Sequence, residues 1–131
     1  MVGMEETVQD AVNRILALGG SEGVQFIFLY GSVALGKAHK GSDIDLCIGF
    51  KGSEREALDF ILKVLSAINS DMFDVKLFRH LPLYIKADVF KGKLLFSRDM
   101  QDVYRLAYDT MNDYEEFRAH FYDYIGKEVI H

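Results

Sequence analysis

The strongest constraint on the fold of this chain is the alternation of short apolar runs with stretches of helical periodicity. Each run is five to seven residues long, which suits a buried strand and is too short for a core helix. Between the runs, apolar residues recur three and four positions apart, as on one face of an amphipathic helix. We therefore predict an α/β (α+β) fold in which helices pack on a small sheet. The predicted strands are VQFIFLY (24–30), DLCIGF (45–50), MFDVKLF (72–78) and the edge strand KLLFS (93–97).

Four helices are predicted around these strands. Ser53 and Glu56 have the spacing of a capping box, which predicts the start of the second helix. The predicted apolar stripe of that helix comprises Ala57, Leu58, Ile61, Val64, Leu65 and Ile68. The last helix is long, and Asn112-Asp113 is a candidate break in it. The four predicted ranges are 4–18, 53–68, 82–90 and 99–124.

Composition limits where such a chain can reside. The 131 residues are half hydrophobic, which is enough for one packed domain. No apolar run approaches the roughly 20 residues of a membrane helix, and the acidic beginning of the chain lacks the pattern of a secretory signal. Cys47 is the only cysteine, so an intrachain disulfide is excluded. We expect a soluble, cytoplasmic protein with no membrane contact.

The net charge of -5 resides in the last part of the chain, where residues 99–131 hold eight acids and three bases. This acidic segment would repel phosphates, which argues against nucleic acid and suits a basic partner protein. The segment also holds more aromatic residues than one buried stripe requires, so several should be exposed. Exposed tyrosines favour a protein interface, either with a partner or with a second copy. These aromatic residues are Tyr104, Tyr108, Tyr114, Phe117, Phe121, Tyr122 and Tyr124.

Two acids, Asp43 and Asp45, stand at the beginning of the second predicted strand. In extended chain they project to the same face, while Ile44 between them points into the core. Carboxylates that lie so close repel each other unless a cation sits between them. Hard oxygen ligands favour Mg²⁺ or Mn²⁺, and a pair of such ions binds a triphosphate and polarises an attacking hydroxyl.

Gly31 and Ser32 follow the first predicted strand directly. Ser32 is expected to open a short helix through Val33, Ala34 and Leu35. The beginning of a helix offers free N–H groups, and a glycine lets a phosphate approach closely. The stretch therefore predicts a phosphate cradle beside a divalent-metal site.

Asp74 is the only acid within the apolar run 72–78. It faces solvent harmlessly if its strand lies at an edge, but it meets Asp43 and Asp45 if the strands adjoin. Three converging carboxylates destabilise the fold, a conflict that is expected at functional sites. Lys76 alternates with Asp74 on the same strand face, so it either contacts a phosphate or pairs with an acid.

Together these motifs resemble those of a known protein family. Gly31-Ser32, Asp43-x-Asp45 and the later strand acid Asp74 are similar to the motifs of minimal nucleotidyltransferase (MNT) domains of the DNA polymerase β-like superfamily. Further details agree, including Gly36 and Ser42 around the intervening loop. The resemblance implies a small mixed sheet packed with helices, here followed by a long C-terminal helix. It implies one domain over 1–131, with a catalytic core at about 8–100 and a helical extension at about 99–126.

The resemblance also implies roles for individual residues. Asp43, Asp45 and Asp74 would be catalytic and would bind two Mg²⁺ ions, with Mn²⁺ as the alternative. Asp74 would also help to deprotonate the acceptor hydroxyl. The nucleotide would be bound by Gly31, Ser32, Ser42 and Lys76. The family resemblance implies that this nucleotide is ATP. The reaction would move a nucleoside monophosphate to a hydroxyl and release pyrophosphate.

The resemblance further implies a partner. Small MNT proteins resemble antitoxins that act on HEPN-domain toxins, and active ones adenylylate a tyrosine of the toxin. The alternatives are an antitoxin that neutralises by binding alone, or a transferase that acts on a small-molecule hydroxyl. The sequence itself leaves the base preference, the acceptor and the oligomeric state open.

Overall fold

The computed structural model describes residues 3–34, 36, 43–68 and 71–130, with only the backbone at 32–33 and 126–130. Short turns of 3₁₀ helix lie at Ser21–Gly23 and Phe78–His80. The regular elements in chain order are α1 (Met4–Leu16), β1 (Val24–Tyr30), α2 (Gly31–Ala34), β2 (Ile44–Phe50), α3 (Glu54–Ala67), β3 (Phe73–Leu77), α4 (Leu83–Val89), β4 (Lys93–Ser97) and α5 (Met100–Ile130).

The four strands form one mixed sheet in the order β3-β2-β1-β4. β1 is antiparallel to both of its neighbours, β2 and β4, whereas β2 and β3 are parallel and are joined through α3. The predicted strands and the edge position of β4 are confirmed, as is the mixed α/β class. In this order β2, which begins with the acidic motif, lies between β1 and β3. The last residue of β1 and the first residues of β3 lie beside the beginning of β2.

One face of the sheet packs on α1 and α3. Most strand side chains on this face are aliphatic, and the helices supply a matching apolar stripe. Packing the two together removes apolar surface of both from water. The buried members of this core include Val8, Val12, Ile15, Ile27, Leu29, Ile44, Leu46, Ile48, Phe60, Val64, Val75 and Leu77.

The opposite face of the sheet packs on α4 and the first turns of α5. This second core is largely aromatic, and the rings of Phe26, Phe28, Phe78 and Phe90 meet edge-to-face or tilted with centroids 5.3–6.2 Å apart. Its buried members are Phe26, Phe28, Tyr30, Cys47, Phe78, Leu81, Val89 and Val103. Tyr30, a member of this core, lies beside Asp45 at the beginning of β2.

The predicted apolar stripe of α3 is partly wrong. Leu58 and Leu65 are exposed, whereas Phe60 is buried and stacks on the ring of Phe50 at 5.2 Å. The buried face is therefore centred on the positions 57, 60 and 64, which a helix of 3.6 residues per turn brings into line. The capping box of Ser53 and Glu56 is confirmed by both of its hydrogen bonds.

The break predicted in the last helix is also wrong, since α5 is continuous over 31 residues. Asn112 and Asp113 are exposed, and in an exposed helix position such residues cost only a fraction of a kcal/mol relative to better helix formers, roughly 0.7 at most. In the described parts of the chain, no helix has the length and apolar character needed to cross a membrane.

Candidate active site

Three polar side chains lie side by side on the aromatic face of the sheet, one from each of three neighbouring strands. Tyr30 is paired with Asp45, and Asp45 is paired with Asp74. Paired residues of adjacent strands project to the same face, and the strands lie about 4.8 Å apart. The adjacency predicted for Asp45 and Asp74 is therefore observed, and Ile44 is buried in the opposite core as predicted.

Gly31 begins α2 immediately after β1, one residue earlier than the predicted helix start at Ser32. Its φ of +77° lies in the left-handed region, which residues other than glycine rarely adopt. A Cβ built at this position would lie 2.5 Å from Oδ2 of Asp45, closer than a real side chain tolerates. Glycine is thus required twice here, by the backbone conformation and by the adjoining carboxylate.

The environment of Asp45 disfavours its charged form. Burial raises the pKa of Asp45, the neighbouring charges of Asp74 and Asp43 raise it further, and Lys76 opposes them. Asp43 itself is exposed and lies one residue ahead of β2. Asp74 and Asp43 therefore both disfavour the charged form of Asp45, which is itself partly buried.

Lys76 lies two residues after Asp74 on the same strand, and its Nζ is 3.5 Å from Oδ2 of that acid. Both side chains are about half exposed, so the pair adds little to stability. Of the two roles predicted for Lys76, pairing with an acid is the one observed in this structure. Lys76 is also the cation that partly offsets the repulsion between Asp45 and Asp74.

Tyr30 was not among the predicted site residues. Burial, together with the neighbouring Cys47 and Asp45, raises the pKa of Tyr30 far above its ordinary value, so its hydroxyl stays protonated. The only sequence signal for it was its place as the last residue of the apolar run before Gly31. Tyr30 belongs to the aromatic core and is paired with Asp45, so it connects that core to the paired acids.

Some predicted positions lie beyond what the structure can describe. Ser42 lies outside the described residues, and Ser32 is described only in its backbone, as part of α2. Within the described ranges, no three His, Cys, Asp or Glu side chains meet closely enough to define a metal site. The observed geometry therefore consists of the Asp45–Asp74 pair, the turn at Gly31 and the neighbouring charges of Asp43 and Lys76.

The part of the chain that contains this site also matches a known protein family. Residues 14–101, about two thirds of the chain, match the family described as polymerase beta, nucleotidyltransferase. The chain belongs to the polymerase beta nucleotidyltransferase family. This nucleotidyltransferase is also 37% identical over 76 residues to a Methanocaldococcus jannaschii protein named as a candidate protein adenylyltransferase. The alignment spans 57% of each of the two chains, so it covers just over half of that relative.

Solved structures share the fold of this nucleotidyltransferase. A chain of a crystal structure of a toxin–antitoxin with AMP-PNP superposes with a TM-score of 0.70 at 22% identity, covering 91% of this chain and 96% of that one. A chain from the structure of tri-AMPylated Shewanella oneidensis HEPN toxin in complex with MNT antitoxin gives a TM-score of 0.67 at 20% identity, covering 95% and 98%. The predicted polymerase β-like fold and the resemblance to MNT antitoxin systems are thereby confirmed at the level of fold.

Proposed function

We propose that this nucleotidyltransferase transfers AMP from ATP to a hydroxyl group of a partner protein in the cytoplasm. The observation that carries the proposal is the pairing of Asp45 with Asp74 beside the turn at Gly31. Paired carboxylates next to a glycine turn suit the binding of a triphosphate and its cations. Support also comes from the relative named as a candidate protein adenylyltransferase and from the fold shared with a toxin–antitoxin that binds AMP-PNP.

The acids of the site suit divalent cations, and we propose Asp43, Asp45 and Asp74 as ligands of Mg²⁺, which Mn²⁺ could replace. Their carboxylate oxygens are the hard donors that such ions prefer, and a cation would relieve the repulsion that raises the pKa of Asp45. When bound, the metal would neutralise charge on the triphosphate and polarise the acceptor hydroxyl. A bound cation would explain why two partly exposed acids lie side by side despite their repulsion.

The protein's own residues would position the reactants. The backbone at Gly31 and Ser32 would contact the triphosphate, and Ser42 and Lys76 would contribute further polar contacts. The acceptor oxygen would attack the α-phosphorus in line with the bond to pyrophosphate, so one P–O bond forms as the other breaks. Asp74 would accept the proton that the acceptor hydroxyl loses, and pyrophosphate would leave. Positioning and charge neutralisation would provide most of the rate enhancement.

We further propose that the acceptor is a tyrosine of a HEPN toxin and that the chain acts as its antitoxin. The support is the fold shared with a complex that contains an AMPylated HEPN toxin and an MNT antitoxin. A second candidate is an antitoxin that neutralises by binding alone. The observation in its favour is the exposed aromatic surface of α5, which offers a protein-binding face made of residues other than the paired acids.

The two candidates are separated by measuring the mass of a HEPN toxin after its co-expression with this chain. Wild type should add one or more AMP units to the toxin, whereas Asp45→Asn and Asp74→Asn should add none. Asp59→Asn, which changes an exposed acid on α3, is the matched control and should behave as wild type. If wild type adds no mass and yet relieves toxicity as well as Asp45→Asn does, the transfer proposal is wrong and neutralisation by binding remains.

A further inference from the structure

The long helix α5 carries a seam of residues spaced alternately four and three positions apart. This spacing is the heptad pattern by which one helix packs along another. Over 31 residues the helix is about 46 Å long, and among its described side chains only those of the first turns are buried against the rest of the protein. The seam consists of Val103, Ala107, Thr110, Tyr114, Phe117, Phe121 and Tyr124.

The first half of the seam is covered by the protein itself. Val103 and Thr110 are each 5% exposed, and Ala107 between them is half-buried. Val103 belongs to the aromatic core beneath the sheet, and α5 packs here against α4. The heptad spacing in this half therefore has an observed purpose within the fold.

The second half of the seam continues the same spacing without a covering element among the described residues. Phe117, Phe121 and Tyr124, here called the exposed stripe, are 53%, 47% and 63% exposed. The rings of Phe117 and Phe121 are nearly parallel with centroids 6.0 Å apart, so they already form one continuous apolar surface. Large aromatic side chains kept in register but uncovered indicate a surface that another molecule covers.

Charge identifies the kind of molecule. The segment 113–128 holds five acids and two bases, so a second copy aligned along it would bring like charges together. Arg118 is already engaged within the helix, 3.2 Å from Glu115 and over the rings of Tyr114 and Tyr122. An anionic lipid surface would also be repelled. The acids of this segment are Asp113, Glu115, Glu116, Asp123 and Glu128.

We propose that the exposed stripe docks against an amphipathic helix of another protein whose flanking side chains are basic. The partner's apolar residues pack on Phe117 and Phe121, and its lysines or arginines face the acids beside the stripe. This helix–helix contact is separate from the transfer reaction, because it uses none of the residues around Asp45. The proposal therefore stands or falls independently of the proposed enzymatic activity.

The test measures binding of two synthetic helical peptides to the full chain by fluorescence anisotropy. Both peptides are about 28 residues long with leucine at heptad spacing; one carries lysine and the other glutamate at the flanking positions. The Lys-flanked peptide should bind at least about tenfold more tightly than the Glu-flanked one, and the difference should shrink as salt is added. Asp45→Asn should bind the Lys-flanked peptide as wild type does.

Variants of α5 show whether the stripe is the binding surface. Phe117→Ser with Phe121→Ser should weaken binding of the Lys-flanked peptide at least about tenfold. Tyr108→Ser is the matched control, because Tyr108 is a 70% exposed aromatic on the same helix that lies outside the seam. Circular dichroism verifies that each variant keeps its helix content.

Three results would overturn the proposal. Equal affinity for the two peptides would show that flanking charge is not recognised. Equal loss in the Tyr108→Ser and the stripe variants would show that the seam is not the site. Wild type that sediments as a dimer, and becomes monomeric only when the stripe is changed, would identify a second copy as the occupant instead.

Discussion

Gly31 and Asp45 are fitted to each other: the α-carbon of Gly31 faces the carboxylate of Asp45, and a Cβ at position 31 would lie 2.5 Å from Oδ2. The positive φ of Gly31 turns the chain from β1 into α2 at the point where Asp45 enters from the next strand. The turn proposed to bind phosphate and the acid proposed to bind metal are therefore one structural unit. Any side chain at position 31 must disturb both.

Gly31→Ala is expected to impair transfer far more than stability. The left-handed backbone conformation should cost about 1–2 kcal/mol of unfolding free energy. Displacement of the Asp45 carboxylate should lower the rate of AMP transfer about 100-fold, the effect of misplacing a catalytic group by about an ångström. Urea denaturation and the toxin mass assay measure the two effects.

Gly20→Ala is the control for that experiment. Gly20 also has a positive φ, +92°, but the nearest atom to a Cβ there is Cδ1 of Phe60 at an ordinary 3.5 Å. It should lose similar stability and keep the transfer rate. An equal loss of transfer in both variants would mean that backbone strain alone, and not the contact with Asp45, explains the effect.

Asp45→Asn is expected to stabilise the protein at neutral pH while abolishing transfer. Because burial and Asp74 raise the pKa of Asp45, the folded state binds its proton more tightly than the unfolded state does. Ionisation of Asp45 therefore destabilises the fold as pH rises from the ordinary aspartate pKa through the raised one. The melting temperature of Asp45→Asn should exceed that of wild type at pH 7, and the two should converge as pH falls. A lower melting temperature at pH 7 would contradict this account.

Lys76→Met should leave stability nearly unchanged, within about 0.5 kcal/mol, because its pair with Asp74 is half exposed. If Lys76 turns to the triphosphate, the KM for ATP should rise about tenfold through the loss of one contact to a charged group. Lys76→Arg should retain most of the affinity, and Lys51→Met, an exposed lysine after β2, should have no effect. A fall in kcat at constant KM would instead indicate that Lys76 acts on Asp74.

Gly92→Ala should destabilise the sheet by about 2–3 kcal/mol, at the upper end of what overpacking costs. A Cβ at position 92 would collide with the backbone carbonyl of Leu29, and backbone cannot turn aside as a side chain can. The collision would push β4 away from β1 at the end that carries Tyr30. Gly3→Ala, which meets open space, is the control. A cost below about 0.5 kcal/mol in urea denaturation would show that the strand pair adjusts freely.

Much of the site was predictable because its signals are local. The apolar run that ends at Tyr30, the Gly31-Ser32 turn and the Asp43-x-Asp45 spacing all lie within a short stretch of chain. The α3 start was equally local, since Ser53 and Glu56 form their capping box without help from the rest of the fold. The buried face of α3 could not be predicted from local signals, because Leu58 and Phe60 are both apolar. Only the packing on Phe50 selects between them.

The sequence by itself determined the elements and the chemistry they carry: strands from short apolar runs, helices from their periodicity, and acids placed where a strand begins. The tertiary structure decided which strand lies beside which. The order β3-β2-β1-β4 sets Asp74 against Asp45 and adds Tyr30 to the same row, which no spacing along the chain expresses. It also decided that the fold covers Val103 and leaves Phe121 exposed, although both occupy the same helical seam. Local patterns fix periodicity, but contacts between distant residues depend on how the whole chain buries its apolar surface.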